Sequence, residues 1–478
     1  MKSLPQLKDI FGLFTSKWLA QLINLCAGFI TARILGPRDF GLWSTLGMVF
    51  TYGYLSDLGV LAAIKRQIPY LKAQDKPEEV IATINTGFSL FFIFTLIAAI
   101  LIFFLPAFVV LDYPLITGLR ISALIFVILQ LFFFLKAICL AEGRFILQSK
   151  SEILYNIIYF FCLIIFIRNF RIYGLFFSMF LSGLITIVYL FHSTGLRLYF
   201  QIYLKHLSLI LKLGIQFFIN TVLFTIYSTI DKLLVIIFLL RYDLGIYSIA
   251  VLPLSLVHLY SQAINESFSP YATIRYTLFQ NSPEFKSYLI HILRLLSYSL
   301  PIVIGFSWLL LEPLIKYFLP VYIPAINPAR TIIFSCFFSS LSSIVGLYLS
   351  ASGKPYKGIP FLAFGIIFNF SLGYLFIRFG WGIEGVALSV LITSFLWAII
   401  FSIFLFRELR MNFMVSVSEQ IKLYWPICFM ATALFFLDKI SVFIIRILIF
   451  SFFITPLLLL TLKQKKEFSK ILLRETNG

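Results

Sequence analysis

The stretch Thr86 to Leu105 reads TGFSLFFIFTLIAAILIFFL, twenty residues without a charge. At a rise of about 1.5 Å per residue, such a segment spans about 30 Å as a helix, the hydrocarbon thickness of a bilayer. A helix also bonds its backbone N–H and C=O groups within the segment, as the membrane interior demands. The run lacks the polar residue at every second position that a barrel strand carries, which excludes an outer-membrane barrel. Outward from it, apolar windows bounded by charges or by Pro and Gly give about 14 candidate crossings. They lie at about residues 11 to 33, 41 to 63, 83 to 111, 118 to 140, 152 to 168, 172 to 193, 208 to 237, 244 to 266, 287 to 311, 328 to 352, 358 to 378, 383 to 406, 421 to 438 and 440 to 462. Only Asp438-Lys439 separates the last two, and Pro426 and Pro456 interrupt them, so twelve crossings plus a re-entrant hairpin is the alternative.

Composition agrees with that reading along the whole chain. Of 478 residues, 61% are hydrophobic and 12% charged, roughly half the charged share of a soluble domain, which excludes a water-soluble globule. The net charge of +18 comes from 38 Lys and Arg against 20 Asp and Glu. These cations are spread over short loops and form no single soluble face, so no nucleic-acid partner is expected. With an even number of crossings both termini share one side, and the loops of that side are the more basic. They hold Lys65, Arg66, Lys72, Lys76, Arg197, Lys205, Lys354 and Lys357, and the tail adds Lys463, Lys465, Lys466, Lys470 and Arg474. Both termini are therefore expected in the cytoplasm, with the tail anchored on anionic headgroups. The apolar stretch from Phe11 is too long for a signal-peptide core and no small-residue cleavage site follows, so it should be kept as the first anchor.

Cys26, Cys139, Cys162, Cys336 and Cys428 lie singly in apolar segments, which implies neither a disulfide framework nor a zinc site. They read as small hydrophobes. His192, His206, His258 and His291 have no ligand spacing, and His258 alone lies deep in a predicted helix, where a proton relay is the functional alternative to packing. Gly353-Lys354 lacks the strand and the upstream glycine of a phosphate loop, which disfavours an ATP-driven pump. No loop leaves room for a soluble catalytic domain.

An internal repeat organises the crossings. Residues 36 to 44 read GPRDFGLWS, and residues 240 to 248 read LRYDLGIYS. The shared pattern Asp-x-Gly-x-aromatic-Ser places Gly41 opposite Gly245, an offset of 204 residues. At the same offset the preceding helices align Lys17 with Thr221, Gln21 with Thr225, Asn24 with Ser228 and Gly28 with Lys232. Spacings of four, three and four keep each set on one helical face. The following helices align Ser44 with Ser248, Thr51 with Ser255 and Tyr54 with His258. The offset spans six predicted crossings, an even number, so the copies should share orientation, as in parallel-repeat transporters. The plainer alternative is that these polar residues bond one helix to another.

Ionisable residues at membrane depth are costly and default to a cavity or a partner. Those here are Lys17, Asp57, Lys136, Asp231, Lys232, Glu266 and Arg446. A cavity between the two halves, lined by the paired stripes, would be polar and partly cationic through Lys17 and Lys232, and would favour an anionic ligand. Lys136 and Arg446 lack polar neighbours on their own faces and are expected to snorkel or to pack on a carboxylate. Asp57 and Glu266, near helix ends, are either hydrated or gating residues. Asp231 either neutralises Lys232 or meets a partner across the bundle, since adjacent helical residues point apart.

The string Arg33-Ile34-Leu35-Gly36-Pro37, then Phe40-Gly41-Leu42-Trp43-Ser44 and Asp57-Leu58-Gly59, resembles the opening of polysaccharide-biosynthesis flippases. These are the O-antigen, Wzx-type members of the multidrug/oligosaccharidyl-lipid/polysaccharide exporter superfamily. Asp231-Lys232, Leu244-Gly245-Ile246-Tyr247, residues 350 to 354 (SASGK) and residues 382 to 387 (GIEGVA) extend the resemblance over about residues 8 to 405. It implies an all-α polytopic membrane protein of about 14 transmembrane helices, with two pseudo-symmetric six-helix lobes plus two C-terminal helices, working by alternating access. On that pattern residues 1–204 form the N-lobe, 205–415 the C-lobe, and 416–478 the two added helices with a basic cytoplasmic tail. The implied function is to carry an undecaprenyl-pyrophosphate-linked oligosaccharide, an O-antigen or similar repeat unit for lipopolysaccharide, from the cytoplasmic to the periplasmic leaflet of the bacterial inner membrane. The family's cationic lumen matches Lys17 and Lys232 best, with Arg33 and Arg66 as rim contacts. The interior is less arginine-rich than in peptidoglycan-precursor flippases.

The physical chemistry fits that task, because a pyrophosphate bearing sugars cannot shed its hydration into hydrocarbon. Lys17 and Lys232 would pair with the pyrophosphate. Gln21, Asn24, Thr221, Thr225 and Ser228 would exchange hydrogen bonds with sugar hydroxyls, and Tyr54 and Tyr227 would stack on sugar rings. No catalytic residue, cofactor or metal is expected. Proton or sodium coupling would act at Asp57, Asp231 or Glu266. Expected partners are the lipid-linked oligosaccharide, membrane lipid, a polysaccharide polymerase and a chain-length regulator. The alternatives are a cation-coupled multidrug antiporter on the same fold, against which the two lysines argue, and a membrane polysaccharide polymerase, against which the short outer loops argue.

Overall fold

The computed structural model describes residues 7–278, 283–440 and 442–473. Among them are fifteen α-helices, a few 3₁₀ turns and no strand. In chain order the helices are α1 Leu7–Gly53, α2 Val60–Ala73, α3 Pro77–Phe104, α4 Tyr113–Ala141, α5 Phe145–Phe170, α6 Ile172–Thr194, α7 Leu204–Phe238 and α8 Arg241–Val251. They continue as α9 Leu254–Leu278, α10 Pro283–Phe318, α11 Ile326–Ala351, α12 Ile359–Arg378, α13 Gly382–Glu408, α14 Phe413–Asp438 and α15 Phe443–Leu473.

Twelve helices of the described residues are long and apolar enough to cross a membrane, or thirteen when α8 and the first part of α9, bent by 42°, count as one span. The segment Trp18–Asp57 is 40 residues long, twice what a bilayer needs, and takes in most of two expected crossings, 11 to 33 and 41 to 63. Gly36 divides it, with φ 75° and ψ 169°, immediately before Pro37. Glycine alone tolerates that backbone cheaply, and proline removes a helical donor. The chain is thus an all-α, multi-pass membrane protein. Its last two helices are each long and apolar enough to cross a membrane on their own, and Pro426 and Pro456 are both held inside helices. The second crossing departs from expectation. It was read as continuous over 41 to 63, but the helix stops at Gly53, passes through a 3₁₀ turn at Tyr54–Asp57 and restarts at Val60.

The chain separates into two compact units, one of Met1–Thr229 with Leu240–Gly245 and the other of Ile230–Leu239 with Ile246–Gly478. In the first, Leu46, Phe126, Leu129 and Phe176 bring α1, α4 and α6 together, while Ile64, Phe91, Phe134 and Ile210 join α2, α3, α4 and α7. In the second, charges tie the last two helices to the bundle. Glu312 of α10 accepts hydrogen bonds from Lys316 (2.6 Å), Arg330 of α11 (2.7 Å) and Arg446 of α15 (3.0 Å). Arg330 also reaches Asp438 of α14 at 3.0 Å and lies 4.0 Å over the Trp308 ring. Arg446 therefore packs on a carboxylate, one of its two expected fates.

Removing one carboxylate from a largely buried cluster strands its cations. Glu312→Gln is expected to lower stability by about 2–4 kcal/mol. Lys316→Ala, on the exposed side of the same cluster, should cost less than about 1 kcal/mol. Thermal unfolding of the detergent-solubilised variants checks both, and equal losses would refute the account.

Candidate functional site

Of the two polar stripes, Gln21 and Asn24 of α1 and Thr221, Thr225 and Ser228 of α7 lie in the first unit. Asn24, Thr221 and Ser228 are exposed, and Gln21 and Thr225 are half-buried. Thr221 donates to the Phe217 carbonyl at 2.9 Å and Ser228 to the Thr225 carbonyl at 3.0 Å, both within α7. Gln21 and Asn24 have no hydrogen bond among the described residues. None of these five joins one helix to another. A cross-helix bond joins Tyr52 Oη to Thr229 Oγ1 at 2.9 Å. Polar side chains left open at membrane depth cannot be satisfied by lipid tails and call for water or a polar ligand.

The break in the second crossing builds a second polar feature. Leu58 and Gly59 adopt left-handed backbone, with φ 47° and 82°. Asp57 closes the break by accepting the Gly59 N–H on Oδ1 (3.0 Å) and the Leu61 N–H on Oδ2 (3.1 Å), which satisfies donors at the start of α2. From α4, the buried Gln130 amide reaches back to the Gly53 carbonyl at 3.4 Å and the Ser56 hydroxyl at 3.3 Å. Irregular backbone at membrane depth survives where protein buries it or where it lines a wet cavity. Here it borders a cavity of about 160 Å³, lined by Tyr54, Leu61, Lys65, Gln130, Phe133, Lys136, Ala137, Leu140 and Gln148. The Tyr54 ring meets Phe133 edge-on, with centroids 4.8 Å apart. Lys136 pairs with Glu152 of α5 at 3.1 Å and lies 5.6 Å over both the Phe132 and Phe133 rings. Lys136, like Arg446, thus packs on a carboxylate.

The remaining sequence-derived candidates are dispersed. The side chains of Lys17 and Glu266 lie outside the described residues. Asp231 and Lys232 belong to the second unit, where buried Asp231 accepts the Tyr247 hydroxyl at 2.8 Å. Lys232 is half-buried and has no ion pair among the described residues. His258 meets the Cys336 thiol at 3.8 Å. Tyr54 lines the cavity, while Asp57 lies beside it as the helix cap.

Sequence reasoning passed over Lys65, Gln130, Gln148 and Glu152. Lys65 was read as a loop cation because the apolar window ends just before it, yet α2 continues to Ala73 and carries it on a helix. The signal available was Gly53, Asp57 and Gly59 inside one apolar window, a turn composition that a continuous span has no use for.

At one end of the first unit the repeated motifs meet. A Cβ placed on Gly41 would lie 1.9 Å from the Arg241 carbonyl oxygen, and one placed on Gly245 would lie 1.9 Å from the Pro37 carbonyl oxygen. Residues 37 and 241 are related by the same 204-residue offset as 41 and 245, so the contact is reciprocal. Two ion pairs flank it. Arg171 donates to Asp39 at 2.7 Å and to the Leu35 carbonyl at 3.1 Å. Arg241 grips Asp112 with both guanidinium nitrogens, and these bonds hold the exposed Asp112 carboxyl below the usual carboxylate range.

Residues 30–321 match the family described as polysaccharide biosynthesis protein. None of the curated proteins matches the chain. Among solved structures, the fold is similar to a multidrug resistance MATE family transporter of the MOP superfamily in an inward-facing conformation, at 15% identity and TM-score 0.67, covering 84% of this chain and 95% of that one. It is similar to the lipid II flippase MurJ in an inward closed conformation, at 16% identity and TM-score 0.65, covering 98% of this chain and 100% of that one. A MOP superfamily transporter from Pyrococcus furiosus, described as having a binding pocket of reversed polarity, matches at 16% identity and TM-score 0.61, covering 84% and 95%.

Proposed function

The chain belongs to the polysaccharide biosynthesis protein family, and from that premise we propose that it is a flippase for an undecaprenyl-pyrophosphate-linked oligosaccharide, an O-antigen or similar repeat unit. The family and the flippase and transporter fold make it a transport protein rather than an enzyme. The observation that carries the substrate reading is that Gln21 and Asn24 on α1, and Thr221, Thr225 and Ser228 on α7, are exposed or half-buried and join no helix to another among the described residues. A sugar chain presents many hydroxyls; the Gln21 and Asn24 amides can donate and accept, and the Thr221 and Ser228 hydroxyls, whose hydrogens are used within α7, can accept. The prenyl tail has no need to leave the lipid. Lys17 and Lys232 are the proposed cationic contacts for the pyrophosphate. Ion coupling is assigned to Asp231 and Glu266 ahead of Asp57, because both Asp57 oxygens already cap α2. The proposed setting is the bacterial inner membrane with both termini cytoplasmic, beside a polysaccharide polymerase and a chain-length regulator.

The test is translocation in proteoliposomes that contain an undecaprenyl-pyrophosphate-linked oligosaccharide, read as the fraction of sugar exposed to an added lectin. Wild type should move it. Asn24→Leu and Thr221→Leu, at exposed positions without cross-helix bonds, should keep stability within about 0.5 kcal/mol and slow translocation. Export of a cationic dye with no movement of the oligosaccharide would overturn the reading in favour of an antiporter.

A further inference from the structure

We propose that the cavity at the break in the second crossing is a phosphoryl-binding subsite, in which Lys65 and Lys136 hold a pyrophosphate group and Glu152 neutralises Lys136 until that group arrives. The proposal rests on the flippase reading above and adds, to the Lys17 and Lys232 contacts proposed there, a second stop for the same pyrophosphate within the first unit.

Four observations carry it. First, the cavity wall holds two lysines and no carboxylate. Second, Lys65 has no ion pair among the described residues. The carboxylates around these lysines are Glu152, which contacts Lys136 alone, and Asp57, whose oxygens are taken by backbone donors. Third, Gln148 is 7% exposed and lines the cavity, and its Oε1, which only accepts, has no hydrogen-bond partner, so a lysine N–H or a water entering with the ligand would satisfy it. A buried polar atom without a partner is costly unless something visits it. Fourth, about 160 Å³ has room for several waters, hence for a compact anionic headgroup, but not for a chain of sugars.

The charge logic is an exchange. Lysine is a compact point charge that suits phosphate oxygens. With the site empty, the Lys136–Glu152 pair keeps one cation compensated at membrane depth, where an unpaired charge is expensive. An arriving diphosphate offers more negative charge than Glu152, draws Lys136 to itself and meets Lys65 on the other wall.

The experiment uses the full chain in nanodiscs of neutral phosphatidylcholine and titrates inorganic pyrophosphate. Lys65→Gln and Lys136→Gln should each weaken binding about 10-fold or more, while Lys65→Arg should stay close to wild type. Lys150→Ala, in a separate hollow at the α4–α5 turn, should change nothing. Lys136→Gln leaves Glu152 uncompensated, so Lys136→Gln with Glu152→Gln is the folded control. Glu152→Gln alone should tighten binding, because it removes the competitor for Lys136, a gain that a purely structural ion pair would not give. Unchanged affinity in both lysine variants, or looser binding in Glu152→Gln, would overturn the proposal.

Competition distinguishes the two sources of the phosphoryl group. Displacement of pyrophosphate by undecaprenyl pyrophosphate alone identifies the transported headgroup, and displacement by phosphatidylglycerol identifies a membrane lipid; both uphold the subsite. If both lysine variants bind weakly but wild type moves no oligosaccharide, the flippase reading falls and the subsite stands. If translocation proceeds with affinity unaltered by either lysine variant, the subsite falls and the flippase reading stands.

Discussion

Gly59→Ala is expected to cost about 3–5 kcal/mol and to leave little folded protein after extraction from the membrane. Two penalties coincide at this position. The residue has φ 82°, a left-handed conformation in which a Cβ crowds its own backbone. Independently, that Cβ would lie 2.2 Å from the Gly214 carbonyl oxygen and 2.7 Å from the Gly214 carbonyl carbon. Both obstructing atoms are main chain, so no rotamer change relieves them, and α2 must move off α7. The shift would disturb the cluster in which Ile64, Ile68 and Ile210 are fully or almost fully buried, and untie the start of α2 from its Asp57 cap. Fluorescence-detected size exclusion after a temperature ramp provides the measurement. A Gly59→Ala midpoint within about 2 °C of wild type would show that α2 and α7 do not approach through these glycines.

The same break marks the limit of what the sequence could tell. Runs such as 86 to 105 announce their helices because twenty uncharged residues have no other stable state in a bilayer, and Gly36-Pro37 announces its turn because proline cannot continue the helical ladder. Hydropathy windows fail where function needs a departure from that rule. Ser56 and Asp57 were averaged into an apolar stretch, so a broken helix read as a continuous one. Conversely, Lys65 was read as a loop cation because the apolar window closes at 63, and Glu152 entered only as the first residue of the window 152 to 168. In the structure α2 runs past Lys65, and α5 begins at Phe145, before both Lys150 and Glu152. Charges that line a cavity sit inside helices, and only tertiary packing separates them from charges in loops. The polar stripes were legible because an internal repeat supplied a second copy for comparison. The cavity residues on α4 and α5 were not singled out by it.

The repeat also sets up the sharpest sign test, at Gly41 and Gly245. Both lie within helices, at ordinary negative φ, where alanine is intrinsically favoured over glycine by about 1 kcal/mol. If the reciprocal contact carries no weight, Gly41→Ala and Gly245→Ala should both stabilise the protein. Gly47→Ala is the reference for that outcome, since a Cβ there meets nothing within 4 Å. The contact predicts the opposite sign. Each added methyl would lie 1.9 Å from a carbonyl oxygen of the other turn, so the Pro37 and Arg241 segments must separate and the flanking Asp39–Arg171 and Asp112–Arg241 pairs must stretch. Each variant should therefore lose about 1–3 kcal/mol and, in the proteoliposome assay, about 10-fold in translocation rate. Because one contact is broken from either side, the double variant should lose little more than each single one, the non-additivity expected of residues that share an interaction. Equal single losses with a sub-additive double would tie the two motifs into one structural element. Two stabilised variants would instead reduce the sequence repeat to a relic of duplication with no mechanical consequence.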